Sequence, residues 1–549
     1  MKILKKLAGQ TVIYGLSSVV GRLLNYLLVP FLTRPELGGF LPTQYGVITE
    51  MYAYIAFLIV ILTYGFETAF FRFSNKESDL KGVYSTALIS LLISSVTFAS
   101  VAYIFSESIA AFIGYVNNPE YVQILSLVVA LDALTSISFA KLRIQNRAAR
   151  FALVKLVGIF INIGLVLFFI LYCPYAIKND LQSSSFISAI YNSNIGIGYI
   201  FIANLVSSII TAIMLMPEMF DAVYRFNKRL WKEMFKYSFP LIIAGLAGMI
   251  NETLDRVLIK HVSHPVEIYQ NHFLQKVWNE NIPEELAEYR IIKDEIFDSD
   301  FQDTNTNLSL DTKRFIVTVR QSELGLYGGF YKLAILMILF IQTFRFAAEP
   351  FFFSHEKEKG SRKTYAVVMK YFLIVMCFIF LLVTSFYDLI VMFLGEQYRD
   401  PRGFFVVSIL LLANLFLGIY YNLAVWYKLS EKTNYGAYLS LIGAIITLLL
   451  NLILIPRFGF EGSAFATLAC YVSITIISYF FSKKYYNIPY EKNRLMIYLI
   501  TSLALFYAIY LLSPYSIIFK FIGIVLFFIL VYALERPKKT VISNPKLFN

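Results

Sequence analysis

Runs of about twenty apolar residues recur along almost the whole chain, and they constrain its fold more than any other feature of the sequence. A helix needs about 20 residues to cross a hydrocarbon core that is about 30 Å thick. The sequence therefore predicts an all-α polytopic membrane protein with about 14 transmembrane helices. The candidate segments lie near residues 11–33, 44–71, 83–105, 121–140, 151–172, 195–217, 237–258, 325–353, 365–394, 403–427, 435–456, 459–481, 495–512 and 515–534.

The composition agrees with a membrane protein, since hydrophobic residues make up 58% of the chain and charged residues only 15%. Soluble domains have about 45–50% and about 25%. The net charge of +12 comes from short Lys and Arg clusters between apolar segments, so nucleic acid is not an expected partner. The three cysteines lie far apart, and no nucleotide-binding or metalloprotease motif is present. We expect no cofactor, no metal site and no catalytic residue.

Positive charge alternates from loop to loop. Lys and Arg gather in every second loop, as at Lys141, Arg143 and Arg147, whereas the loop 106–120 has neither. Because positive loops are retained in the cytoplasm, both chain ends are predicted to be cytoplasmic.

One long polar interval, residues 261–323, interrupts the apolar pattern and holds twelve acidic and six basic residues. The alternation of charge places it outside the membrane. Within it, residues 282–297 have apolar positions at helical spacing, which predicts one short amphipathic helix in a small or partly disordered insertion. The insertion is interpreted as a lid or spacer, with binding of a protein partner as the alternative.

The chain also contains a weak internal repeat. Residues 43–78 align with residues 322–359, because each stretch has a glycine-containing entry, an aromatic-rich span and a Phe-rich exit. Each half begins with a segment of the same direction and holds six segments, which predicts two pseudo-symmetric lobes around a central cavity. The predicted parts are an N-lobe (1–236), a C-lobe that includes the insertion (237–482) and two further helices with a tail (483–549).

Three stretches resemble a known family. They are GQTVIYGLSSVVGRLLNYLLVPFLTR (9–34), TQYGVITEMYAYIAFLIVILTYGFETAFFR (43–72) and NLILIPRFGFEGSAFATLACYVS (451–473). With the layout of the segments, they resemble the polysaccharide exporter branch of the multidrug/oligosaccharidyl-lipid/polysaccharide (MOP) superfamily, which includes Wzx-type flippases and the MurJ lipid II flippase. The resemblance implies a MATE-like fold in the bacterial inner membrane, alternating access and a cationic central cavity.

The resemblance also implies a function. It indicates a flippase for an undecaprenyl-pyrophosphate-linked oligosaccharide of O-antigen, capsule or a similar surface polysaccharide. The expected partners are this substrate, membrane lipids and, through the insertion 261–323, glycan-assembly proteins. A lipid II flippase and a MATE-type multidrug cation antiporter are the alternatives within the superfamily. A membrane glycan polymerase or ligase and a non-transporting scaffold are alternatives of a different class.

Ionisable residues inside apolar segments are candidate site residues, because burying each charge costs at least about 2.5–3.5 kcal/mol unless it faces a cavity or a partner. Arg22 lies halfway along the first segment, where the resemblance implies arginines that meet a pyrophosphate. A guanidinium suits phosphate because its planar fork of donors stays charged. Glu67 is a candidate for the same cavity, and a structural pair between Arg22 and Glu67 is the alternative.

Two other segments carry ionisable residues four positions apart, and therefore on one helix face. They are Glu252 with Arg256, and Arg345 with Glu349. Arg256 and Arg345 are candidate ligands of the substrate headgroup. Glu252, Asp255 and Glu349 are candidate proton or cation sites, with a self-neutralising pair of Glu252 and Arg256 as the alternative.

The remaining polar groups receive a simpler interpretation. Lys155 and Lys332 lie close enough to helix ends for their ammonium groups to approach the membrane interface. His261, His264 and His272 are predicted to be solvated rather than bound to a metal.

Overall fold

The computed structural model describes residues 19–76, 79–180, 184–280, 287–305, 307–354, 356, 358, 360–430, 432–512 and 516–536. In these residues the chain is helical almost throughout and contains no β-strand. The main helices are α1 (Val19–Thr33), α2 (Pro42–Ser74), α3 (Leu80–Ile104), α4 (Pro119–Ile144), α5 (Ala148–Lys178), α6 (Gly198–Met214), α7 (Lys228–His261), α8 (Val266–Glu280), α9 (Ala287–Ile296), α10 (Leu310–Ser354), α11 (Ser361–Ser385), α12 (Gly403–Leu429), α13 (Asn434–Tyr485), α14 (Lys492–Leu512) and α15 (Ile518–Glu535). Shorter helices connect them: Ser106–Phe112, Ser184–Ile190, Met216–Phe220 and Tyr387–Ile390.

These helices match the predicted membrane segments. In the described residues, 10 helices are long and apolar enough to cross a membrane. One of them, α13, holds two predicted segments. The shorter apolar helices α1 and α6 and the more charged α7 supply the other three. The prediction of an all-α protein with about 14 membrane segments is therefore confirmed.

The helix α13 folds back on itself. The Ser463 hydroxyl donates a hydrogen bond of 2.7 Å to the Asn451 side chain, although 12 positions separate the two residues. A straight helix would place them about 18 Å apart. Between them, Gly459 has a φ of 57°, a left-handed conformation that glycine adopts at little cost. The two arms of α13 therefore run antiparallel.

The helices α2 and α10, which carry the predicted repeat, meet through a reciprocal contact. Gly46 of α2 lies against the carbonyl oxygen of Gln321, and Gly325 of α10 lies against the carbonyl oxygen of Pro42. The repeat alignment places Gly46 opposite Gly325 and Pro42 opposite Gln321. Such an exchange of equivalent contacts is the signature of a two-fold axis. The two halves are therefore related by pseudo-symmetry, as the sequence predicted.

Most helices pack within their own half, whereas α2 packs mainly on α10 and α7 of the other half. In the first half, α3, α4, α5 and α6 form a continuous packed group, and in the second half α7, α10, α12 and α13 do so. The helices α14 and α15 pack on α11 and on each other. The described parts of the chain therefore form two packed halves that meet at α2, with two additional C-terminal helices.

The insertion is more ordered than the sequence suggested. In place of one helix over residues 282–297, both α8 and α9 pack against the first turns of α10, and residues 281–286 lie outside the described part. The helix α10 begins well before the predicted membrane boundary at residue 325, because Phe315, Ile316 and Val319 form an apolar face among charges. The core of the insertion consists of Tyr269, Phe273, Ile292, Ile296, Phe301, Phe315, Ile316 and Val319. We call this end of the molecule the insertion end.

Candidate functional site

A polar cavity of about 260 Å³ lies between α7, α10, α12 and α13. The helix α7 contributes Asn251 and Glu252, and α10 contributes Tyr331 and Gln342. The remaining polar lining is mostly phenolic, from Tyr420, Tyr421, Tyr427 and Tyr471. We call this space the tyrosine cavity. It offers hydroxyl groups for hydrogen bonds and aromatic faces for cations.

Two of the predicted arginines lie beside the tyrosine cavity. The guanidinium carbon of Arg256 lies 4.2 Å from the ring centre of Tyr331. The guanidinium carbon of Arg345 lies 4.0 Å from the ring centre of Tyr421. A guanidinium that stacks on a ring keeps its in-plane N–H donors for other ligands. The structure therefore places Glu252 in the cavity wall and Arg256 and Arg345 against two of its tyrosine rings.

The predicted carboxylates differ in their surroundings. Glu252 is exposed in the cavity wall, whereas Asp255 is 4% exposed and accepts a hydrogen bond of 2.6 Å from the Tyr327 hydroxyl. In the described part of the chain no hydrogen-bonded ion pair joins Glu252 to Arg256, although the Glu252 charge acts on the guanidinium of Arg256. The side chain of Glu349 lies outside the described residues.

The N-lobe carries a second group of intramembrane charges. The Arg22 side chain is exposed, and its positive charge repels that of Lys155. Arg22 has no ion pair among the described residues. Glu67 pairs with Arg143 instead. The alternative of a structural pair between Arg22 and Glu67 is not formed, because Arg143 of α4 binds the Glu67 carboxylate. Two carboxylates, Glu67 and Asp132, attract the positive charge of Lys155.

An ion pair that the sequence did not reveal joins the two halves at the insertion end. Glu50 of α2 has no exposed side-chain surface, and its carboxylate lies 2.8 Å from the Lys260 ammonium, which is 5% exposed. The His261 ring lies 3.1 Å from the same carboxylate. Because a buried charge is stable only when it is paired and hydrogen-bonded, this contact specifies how α7 meets α2.

Hydroxyl and amide groups complete the shell of Glu50. The Tyr54 hydroxyl donates a hydrogen bond of 2.7 Å to Glu50, and the Tyr115 hydroxyl donates another. The Gln321 amide of α10 donates to the Tyr115 hydroxyl at 2.6 Å. We call Glu50, Lys260, His261, Tyr54 and Tyr115 the Glu50 cluster. The one available sequence signal was that Glu50 is the only charged residue between Glu36 and Glu67.

The histidines are not simply solvated, which corrects the prediction. His264 is only 5% exposed, and burial lowers its pKa. The His272 ring lies 3.0 Å from the Glu323 carboxylate. Within the described part of the chain, no group of three His, Cys, Asp or Glu side chains is placed to hold a metal ion.

Comparison with known proteins identifies relatives of this architecture. A family model described as polysaccharide biosynthesis protein matches residues 7–292, which is just over half of the 549 residues. No curated protein matches the chain significantly in sequence.

Solved structures share the fold at low sequence identity. The lipid II flippase MurJ in an inward closed conformation is 14% identical, with a TM-score of 0.62 over 95% of this chain and 99% of that chain. An inward-facing MATE family multidrug resistance transporter of the MOP superfamily is 12% identical, with a TM-score of 0.59 over 84% and 94%. An outward-facing MATE transporter is 13% identical, with a TM-score of 0.53 over 88% and 98%.

Proposed function

Because the chain belongs to the polysaccharide biosynthesis protein family and has the fold of MOP superfamily transporters, we propose that it is a flippase for a lipid-linked oligosaccharide. The proposed substrate is an undecaprenyl-pyrophosphate-linked unit of O-antigen, capsule or a similar surface polysaccharide. The observation that carries the proposal is the pair of arginines beside the tyrosine cavity, since a pyrophosphate needs fixed cations and a glycan needs hydroxyl partners.

The Glu50 cluster supports alternating access between the two lobes. It joins the halves at the insertion end through ion pairs and hydrogen bonds, which water can replace when the lobes separate. A purely apolar seal would expose a large hydrophobic surface on opening. In the proposed cycle, the substrate enters from the cytoplasmic leaflet and this cluster then breaks.

The charged residues have distinct proposed roles. Arg256 and Arg345 bind the pyrophosphate, and Arg22 with Lys155 provides a second cationic patch on the N-lobe. Glu252 is the preferred site for a coupling ion, because it faces the cavity, whereas Asp255 is engaged by Tyr327. Glu349 stays a candidate from the sequence alone.

The proposed location is the bacterial inner membrane, with both chain ends in the cytoplasm and the insertion outside. This topology rests on the alternation of Lys and Arg along the loops. The proposed boundaries of the lobes are those of the sequence prediction. Glycan-assembly proteins are proposed partners of the insertion.

A lipid II flippase is the second candidate function. The match to MurJ over nearly the full length of both chains favours it, whereas the family model favours a polysaccharide unit. A multidrug cation antiporter is less favoured, because Arg256 and Arg345 would repel a cation from the tyrosine cavity. A polymerase or ligase is not proposed, since the fold is that of transporters.

The test measures lipid-linked glycan and lipid II at the outer face of cells that are depleted of the protein and then complemented. Wild-type protein should restore the glycan. Arg256→Ala and Arg345→Ala should each reduce the rate roughly tenfold or more, since a hydrogen bond to a charged group contributes about 1.5–3 kcal/mol. Arg229→Ala is the matched control, because this arginine lies on α7 with a side chain 92% exposed.

Each outcome separates the alternatives. Restoration of lipid II in place of the glycan would establish the second candidate. Full activity of both Arg256→Ala and Arg345→Ala at matched expression would show that these arginines do not bind the headgroup.

A further inference from the structure

A second, larger cavity of about 640 Å³ lies under the insertion helix α8. Its walls come from α8, residues Ser322 and Leu326 of α10, the loop before α12 and the bend of α13. It lies at the insertion end and shares no lining residue with the tyrosine cavity. The transport cycle proposed above gives it no role. We call it the insertion cavity.

One carboxylate fixes the shape of the insertion cavity. Glu323 of α10 accepts two hydrogen bonds of 2.8 Å from Arg402 and lies 3.0 Å from the His272 ring of α8. Arg402 also binds Asp400 at 2.7 Å and lies over the ring of Phe460 in α13. Burial alone would lower the pKa of Arg402, but hydrogen bonds to Asp400 and Glu323 raise it. All four walls are therefore linked by a permanently charged arginine.

Other polar groups in the lining make no direct hydrogen bond or ion pair with the residues that the structure describes. The amides of Asn271, Gln275 and Gln397 make no hydrogen bond to described residues, and Arg457 and Glu461 form no ion pair with them. Phe458, which is 51% exposed, adds an apolar ring. A built cavity thus presents amide, carboxylate and guanidinium groups beside an aromatic face.

The chemistry of these groups selects the class of ligand. Three arginines and three carboxylates line the space, so their charges cancel and a phosphate is not favoured. A metal ion would need a cluster of acidic or histidine ligands, which the described residues lack. Planar groups that donate and accept side by side suit the vicinal hydroxyls of a sugar, and an exposed ring suits its apolar face.

The cavity also accounts for the sequence motif at 455–464, IPRFGFEGSA. The left-handed Gly459 turns the chain between the arms of α13. The turn presents Arg457 and Phe458 on one side of this glycine and Glu461 on the other, all three in the wall of the cavity.

We propose that the insertion cavity is a carbohydrate-binding site that holds the glycan of the transported lipid after it reaches the outer face. The class of ligand follows from the lining, and only the identity of the glycan rests on the proposed flippase function. The site would assist the proposed transport, because a glycan that is bound at the outer face cannot return through the tyrosine cavity.

Binding to the purified full-length protein tests the proposal. The probe is the free oligosaccharide that mild acid releases from the lipid-linked glycans of the same cells, and maltohexaose is the unrelated glycan. The double variant Asn271→Ala/Gln275→Ala removes two exposed amides from α8 and should fold, since alanine is the better helix former. Gln302→Ala/Asn307→Ala removes the same two side-chain types from exposed insertion positions outside the cavity.

We expect the cavity variant to raise the dissociation constant of the released glycan roughly tenfold or more by calorimetry, since each hydrogen bond contributes about 0.5–1.5 kcal/mol. The control variant should bind like wild type, and maltohexaose should bind more weakly. Equal affinity of the two variants would overturn the site. Loss of binding in Arg256→Ala but not in the cavity variant would also overturn it, because the glycan would then occupy the tyrosine cavity.

The cell assay described above keeps the two proposals apart. Glycan export by wild type, with no binding of the released glycan, would overturn the insertion cavity and leave the flippase function in place. Specific binding that the cavity variant abolishes, with no effect of depletion on outer glycan, would overturn the flippase function and support a glycan-binding site.

Discussion

At the scale of single residues, the Glu50 cluster joins the two halves through a buried ion pair. Glu50 belongs to α2 and Lys260 to α7, and both side chains are almost completely buried. Removing one member of a buried ion pair leaves an uncompensated charge and typically costs about 3–5 kcal/mol, whereas removing both charges costs less. The contact between the two halves at the insertion end is therefore stable only when both charges are present.

Glu50→Gln should open the insertion end, because Lys260 loses its counter-ion. The measurement is the rate at which a membrane-impermeant maleimide labels a cysteine placed at the buried Val47 of α2. The native cysteines Cys173, Cys377 and Cys470 are buried and should give little background. We expect labelling several-fold faster than in the parent protein, and an intermediate rate when Lys260→Met is added.

Glu120→Gln provides the matched control, since Glu120 is an acid of α4 that bonds only its neighbour Asn118 among the described residues. Labelling at the parental rate in Glu50→Gln would show that the ion pair does not hold the two halves together.

Residue-level pairing was the least predictable part of the site. The sequence located Arg256, Arg345 and Glu252 as ionisable groups in apolar segments, which is a local property. It could not show that Glu67 meets Arg143, or that two arginines stack on tyrosines, because these contacts depend on how separate helices pack. A single acid such as Glu50 gives no spacing pattern from which a partner could be inferred.

At the scale of helices, membrane segments were predictable because a run of about twenty apolar residues is a strong and local signal. The errors fall where polar residues continue a helix beyond the membrane. The helix α10 begins at Leu310, because its first turns pack in the insertion core. The helix α7 begins at Lys228, because the Asn227 side chain caps its first turn. The prediction of a single helix in the insertion was wrong for a similar reason. The core of the insertion is assembled from short apolar faces, which give no strong local signal.

The reciprocal glycine contact makes a prediction about α2 and α10. Gly325→Ala places a methyl group against the backbone carbonyl of Pro42, which cannot move as a side chain can. Gly164→Ala in α5 is the control, because a methyl group there meets no atom within 4 Å. Thermal unfolding in detergent should show stabilisation by Gly164→Ala, since alanine favours a helix by about 0.5–1 kcal/mol. Gly325→Ala should be destabilised and should expose the Val47 cysteine.

Equal shifts of the two glycine variants would contradict close packing of α2 on α10. Destabilisation without faster maleimide labelling would show that the contact supports the fold but does not control the opening of the insertion end.

At the scale of the whole molecule, two halves of similar architecture meet through one reciprocal contact and one contact that is not repeated. The exchange between Gly46 and Gly325 is reciprocal, whereas the described residues contain no symmetric copy of the Glu50 cluster. Rocking of one half against the other can separate them at one end while leaving each half intact. The weak sequence repeat predicted the symmetry, but only the structure identifies the contacts that must break.

Covalent linkage of the two halves at the insertion end should stop transport. The rings of Tyr26 in α1 and Phe393 before α12 stack at 4.8 Å between centres, so cysteines at both positions can be joined by a short bifunctional thiol reagent. Cysteines in place of Phe139 and Phe151, whose rings lie 5.1 Å apart within one half, form the control pair. Cross-linking the first pair should abolish glycan export in vesicles, and reductive cleavage of the linker should restore it. The control pair should cross-link with export retained, because α4 and α5 move together. Continued export by the linked first pair would mean that the insertion end stays closed throughout the cycle, which is incompatible with alternating access between these halves.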